Sequence, residues 1–141
     1  MQLLNLLPLA LAATTLVSAT PIAGNTVSSS LMVTLDYENG VTCGQKNPAI
    51  NTAIQAYCKG PGNNDLTVGT TFSRAGMVHD GMQVLVTGPN CPANSRWVPE
   101  NYCNAQFHYL CANIAGPKGQ GEMHFGANGC QTWTIRETFS L

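Results

Sequence analysis

The chain has 141 residues, of which 9% carry charge, and six basic against seven acidic side chains leave a formal net charge of −1. That is about a third of the ordinary charged share. With no run of either sign, it excludes the basic stripe that nucleic acid binding needs and the polybasic patch that holds anionic lipid.

In chain order, MQLLNLLPLALAATTLVSATPIAG opens with an apolar run from Leu3 to Leu16 that gives way to small residues, with Val17 and Ala19 where a signal peptidase reads. Residues 1–19 read as a secretory signal peptide, too short to span a bilayer, although the n-region carries no Lys or Arg. The small polar residues 20–30 predict a flexible N-terminal arm, and 31–141 a single domain.

Leu31, Val33 and Leu35 alternate with Met32, Thr34 and Asp36, which predicts a half-buried strand closed by a turn at Asn39-Gly40. A helix follows, with Asn47 as cap, Pro48 at its first position and Gly60-Pro61 as its stop; Ile50, Ala53, Ile54, Tyr57 and Cys58 form its apolar face. LTVGTTFSRAGM and MQVLVTG read as two strands joined by the turn His79-Asp80-Gly81, and the Pro- and Asn-rich loop with Cys91 comes next.

YCNAQFHYLCANIAGP repeats the grammar of the first helix, entered at Pro99, with Glu100 in the first turn and Gly116-Pro117 at the exit. Cys103, Phe107, Leu110, Cys111 and Ile114 make one stripe, with His108 off it, and Trp97 is placed to staple onto Tyr102. In the tail, two strands flank the turn 126–129, and Trp133, Ile135 and Phe139 alternate against Thr132, Thr134 and Arg136. The expected fold is α+β, in the order β-αββ-αββ, with about five antiparallel strands packed against two helices. The other sheet face is left for water, a partner chain or a ligand.

All six cysteines, Cys43, Cys58, Cys91, Cys103, Cys111 and Cys130, follow the leader and imply three disulfides. Cys103 and Cys111 stand about 12 Å apart along one helix and cannot bridge each other. Cys111 with Cys130 is the preferred pair, because helix and following hairpin are chain neighbours; the other four then allow three pairings. A metal set of Cys103, His108 and Cys111 with His124 is disfavoured, since His108 lies half a turn off the cysteine stripe and exported thiols oxidise. No metal and no cofactor is expected.

The seven acids are scattered singly, and GxSxG and HExxH are absent. His79-Asp80 and Glu122-x-His124 are the close acid–histidine pairs, explained by turn chemistry and cross-strand pairing, so no catalytic residue is assigned. VTCG at 41–44 is similar to the start of secreted guanyl-specific fungal ribonucleases. The glutamate and histidine strands those enzymes need do not follow, and Arg74 and Arg136 stand without partners.

Pyranose faces stack on Trp and Tyr while amides and carboxylates satisfy the hydroxyls. Trp97, Tyr102 and Tyr109, with Asn94 and Asn113, are therefore the candidate ligand-binding residues, and Trp133 is assigned to the core. The order Cys91, WVPENYC to Cys103, Cys111, a Gly-rich turn and GANGCQTWTI resembles small secreted fungal glycan-binding proteins of the ink-cap mushroom lectin type. The resemblance implies a helix-and-sheet sandwich whose strands join a second copy into an extended sheet, and recognition of extracellular glycan without catalysis. It departs at GPKGQG after the helix and at GAN before the last cysteine. The alternatives are an effector or inhibitor gripping a host protein through the loops 60–65 and 88–96, and a small secreted ribonuclease-like hydrolase.

Overall fold

A computed structural model describes residues 29–138 of the chain. The expected leader and arm as far as residue 28, and Phe139 of the last strand pattern, lie outside the described residues, whereas Ser29 and Ser30, read as the end of the arm, begin a helix. Among the described residues no helix is long and apolar enough to cross a membrane.

Among the described residues the fold is α+β, with four α-helices and two antiparallel sheets. In chain order, α1 is Ser29–Lys46, α2 Pro48–Cys58, β1 Leu66–Thr67, α3 Thr71–Ala75, β2 Met77–His79 and β3 Met82–Thr87. Then follow β4 Trp97–Val98, α4 Glu100–Tyr109, continued by a π-helical turn at Leu110–Ile114, β5 Gly121–Phe125 and β6 Gln131–Glu137. The main sheet has the order β2-β3-β6-β5, and β1 pairs separately with β4. Four strands thus form the main sheet where about five were expected.

α2 forms as its sequence dictates: the Asn47 side chain accepts from the Ala49 N–H at 3.1 Å, and Pro48 occupies the first turn, where its missing donor costs nothing. Ile50, Ala53, Ile54, Tyr57 and Cys58 are fully buried, against the inner sheet face of Val84, Val86, Trp133 and Ile135. Phe107 of α4 completes this core, 4.7 Å from the Trp133 ring and 5.7 Å from that of Tyr57. The Tyr57 hydroxyl donates to Ser73 O (2.9 Å) and accepts from Val86 N–H (3.0 Å), so it satisfies two backbone groups inside the core. Burial pushes this phenol well above the ordinary tyrosine range, only partly offset by the bond from Val86.

The first strand expectation is overturned. Residues 31–35 belong to α1, and the supposed turn Asn39-Gly40 is helical. Gly40 has a packing reason, since a Cβ there would stand 3.3 Å from the His108 ring. The strand expected over LTVGTTFSRAGM also fails. Strand pairing is confined to Leu66–Thr67 and to Met77 at the far end, and between them Thr70 accepts from Ser73 N–H at 3.1 Å to cap α3. Gly76 then turns the chain with φ +70°, where a Cβ would collide with Val84 O, and β2 begins. The turn at Asp80-Gly81, with φ +44° and +77°, is a hairpin of the expected kind.

The stripe of the second long helix holds through Cys111 and then slips by one residue. Ala115 N–H bonds Leu110 O at 2.8 Å, an i→i+5 closure that inserts a residue into the turn. Ile114, expected in the core, is 50% exposed, and Ala115 is buried instead.

Three disulfides are present, with no free cysteine. Cys111 bonds Cys43 of α1, Cys58 of α2 bonds Cys103 of α4, and Cys91 bonds Cys130. The preferred pair Cys111–Cys130 is therefore wrong. Once residues 29–46 are a helix lying along α4, Cys43 meets the π turn and Cys130 is left to the loop at Cys91.

Candidate functional site

α4 carries the functional candidates because its entry and burial are both fixed. β4 leads into it through Pro99, and the Glu100 N–H donates to Asp65 Oδ1 at 3.0 Å, which ties the helix start to the residue preceding β1. Cys103, Phe107, Leu110 and Cys111 face inward. Tyr102 and Tyr109, seven positions apart and so about 10 Å along the axis, face outward with 47% and 40% exposure. Asn113 is exposed just beyond them, its Nδ2 donating to Asn39 Oδ1 (2.8 Å) and to Tyr109 O (3.2 Å).

The structure thus brings together Tyr102, Tyr109 and Asn113 on one helical face, as the sequence suggests. Trp97 and Asn94 are exposed but stand upstream, Trp97 on β4 opposite Thr67 and Asn94 in the short turn Ala93–Ser95. Trp97 is not buried as a staple; with 63% of its surface exposed, it is open to solvent.

At the start of α4 lies an open depression of about 460 Å³, lined by Asp36, Asp65, Pro99, Glu100, Asn101 and Asn104 and by neither tyrosine. It sits where α1 approaches the first turns of α4. Its lining offers carboxylate acceptors and amide groups that both donate and accept. The Asn104 Nδ2 is engaged with Glu100 O at 3.0 Å, and its Oδ1 is buried with no protein partner. Asp36 was hidden from sequence reasoning by the assignment of its segment to a strand, and Asp65 by its distance along the chain. Asn101 and Asn104 flank Tyr102 in the chain, but nothing in their spacing marks them as lining a hollow.

His108 departs from expectation. It is off the apolar stripe yet buried, 7% exposed, because α1 covers it. Its Nδ1 lies 2.6 Å from Asp36 Oδ1 and its Nε2 2.8 Å from Asn51 Oδ1, so one imidazole joins α1, α2 and α4. With both nitrogens engaged and Cys103 and Cys111 in disulfides, the Cys-His set disfavoured as a metal site is committed to structure.

The two acid–histidine pairs lie on opposite edges of the main sheet. His79 is 3.5 Å from Asp80 in the β2–β3 hairpin. His124 is 3.7 Å from Glu122 on β5, on the outer face that also carries Thr132, Thr134 and Arg136 of β6. Both members of this second pair are more than half exposed on an open sheet face, which gives a reacting atom no shelter from water.

No family model, no curated protein and no solved structure matches the chain.

Proposed function

We propose that this is an exported, non-catalytic protein that recognises extracellular glycan through the outer face of α4 and the adjoining depression. The observation that carries the reading is what α4 itself presents: two exposed tyrosine rings at one-face spacing, on the helix whose first turns wall an open hollow of carboxylates and amides. Tyrosine offers a rigid apolar face with a polar tip, suited to a pyranose ring, and the hollow supplies acceptors and donors for its hydroxyls. The three disulfides and the apolar leader support export. The resemblance to ink-cap-type lectins supports the same reading.

A glycan array probed with the recombinant chain lacking residues 1–19 tests it. Binding to one glycan class is expected, weakened at least about tenfold in the double variant Tyr102→Ala/Tyr109→Ala, a loss of about 1.4 kcal/mol, with unchanged melting. Silence across the array, or binding indifferent to both tyrosines and to Asn101→Ala, overturns the proposal.

A further inference from the structure

Over residues 35–46, α1 docks with its polar side inward. From Leu35 to Lys46, the side chains turned toward the rest of the fold are those of Asp36, Asn39, Cys43 and Lys46, and only Cys43 is fully buried. Leu35, Tyr37 and Val41 face outward with 49%, 72% and 45% exposure. A helix of a globular domain ordinarily does the reverse and is held by its apolar stripe. What holds this one is uneven along its length. Its C-terminal end is fixed twice, by the Cys43–Cys111 disulfide and by Lys46, whose Nζ donates to Cys111 O (3.0 Å) and Ala112 O (2.6 Å) at the end of α4. Between residues 35 and 42, the side-chain bonds to the rest of the fold are Asp36 to His108 and Asn39 to Asn113.

We infer that residues 35–42 of α1 form a strap, anchored at Cys43–Lys46 and latched by His108 gripping Asp36, which opens independently of the rest of the domain. Few buried apolar contacts and a polar latch place such a segment at the low end of local stability, whereas a disulfide at one end keeps it tethered when it lifts. Asp36 is also a wall of the depression, so the hollow is complete only while the strap is closed. That consequence makes the strap a gate on ligand capture and rests on the glycan reading above; the strap itself does not.

Native-state hydrogen exchange on the oxidised full domain, followed residue by residue, tests the strap. Amides of residues 35–42 are expected to exchange at least about tenfold faster than those of α2 and of α4, with all three disulfides intact. Asp36→Asn weakens a charge-assisted bond and is expected to speed the strap a further tenfold or so, leaving α2, α4 and the melting temperature unchanged. His108→Gln, which keeps a side chain able to bond Asn51, is expected to do the same. If residues 35–42 exchange together with α4, or if Asp36→Asn and His108→Gln accelerate the whole domain equally, α1 is part of the core unit and the inference is wrong. An array that shows no glycan binding removes the gating consequence alone. Glycan binding with affinity unmoved by Asp36→Asn, in a protein whose strap does open, refutes the gate and leaves the lectin reading standing.

Discussion

α1 and α2 are neighbours in the chain, separated by Asn47 alone, and they are held by opposite means. α2 sinks five residues completely into the core. Over its described side chains α1 sinks only Cys43, turns Tyr37 and Val41 to solvent, and is held by an imidazole–carboxylate contact, an amide pair, a lysine cap and a disulfide. The comparison teaches where covalent bracing matters in a weakly charged small domain. Cys58–Cys103 joins two helices that apolar burial already holds, whereas Cys43–Cys111 secures one that burial does not.

The contrast can be broken most forcefully at the disulfides. Replacing Cys58 and Cys103 together by Ala is expected to cost about 3–5 kcal/mol, because the bridge joins two core elements; chemical denaturation reads the loss. The Cys43→Ala/Cys111→Ala pair opens the longer loop, 68 residues against 45, and is expected to release α1 while the sheet stays folded. Should the sheet unfold together with α1 in that variant, α1 contributes more to the core unit than its exposed face suggests.

Next in size, Ile54→Ala on α2 removes a fully buried side chain and is expected to cost about 2–5 kcal/mol by the same measurement. Tyr57→Phe strands the Val86 N–H and the Ser73 carbonyl and is expected to cost about 1–3 kcal/mol. The same hydroxyl sets an alkaline limit. Because the folded phenol is held above its ordinary value, its contribution is complete below about pH 10, the ordinary tyrosine value, and is lost as pH rises beyond it, since the unfolded chain ionises first. Denaturation midpoints measured from pH 8 to 11 should therefore fall less steeply in Tyr57→Phe than in the wild type.

At the small end, Val41→Ala on the outward face of α1 is expected to change stability by no more than about 0.5 kcal/mol. A cost several times larger, in thermal melts at one pH, would mean that the outward face of α1 is covered in solution.

Sequence reasoning reached the elements whose local signals agreed with their packing. Asn47, Pro48 and the 3.6-residue spacing marked α2, Pro99 and the cysteine stripe marked α4, and Trp133 was legible as core from its alternation. It failed where tertiary contacts override local pattern. Three alternating apolar residues and an Asn-Gly pair look like strand and turn, yet Gly40 is the small residue that lets α1 approach His108. Ile114 was misplaced because a π turn cannot be seen in spacing. The capping pattern of Thr70 and Ser73 was present but read as part of a strand. Of the site, Tyr102, Tyr109 and Asn113 were legible as an off-stripe face, whereas the depression depends on Asp36 and Asp65, far away along the chain. The disulfide error followed from the same missed helix.

Recognition by α4 together with the strap is decided by hydrogen exchange with and without a saturating oligosaccharide that binds on the array. Slower exchange is expected in residues 35–42 and in the first turns of α4, with β5 and β6 unchanged. Protection confined to the outer face of β5 and β6, with α1 and α4 unaffected, would contradict it and move recognition to the sheet.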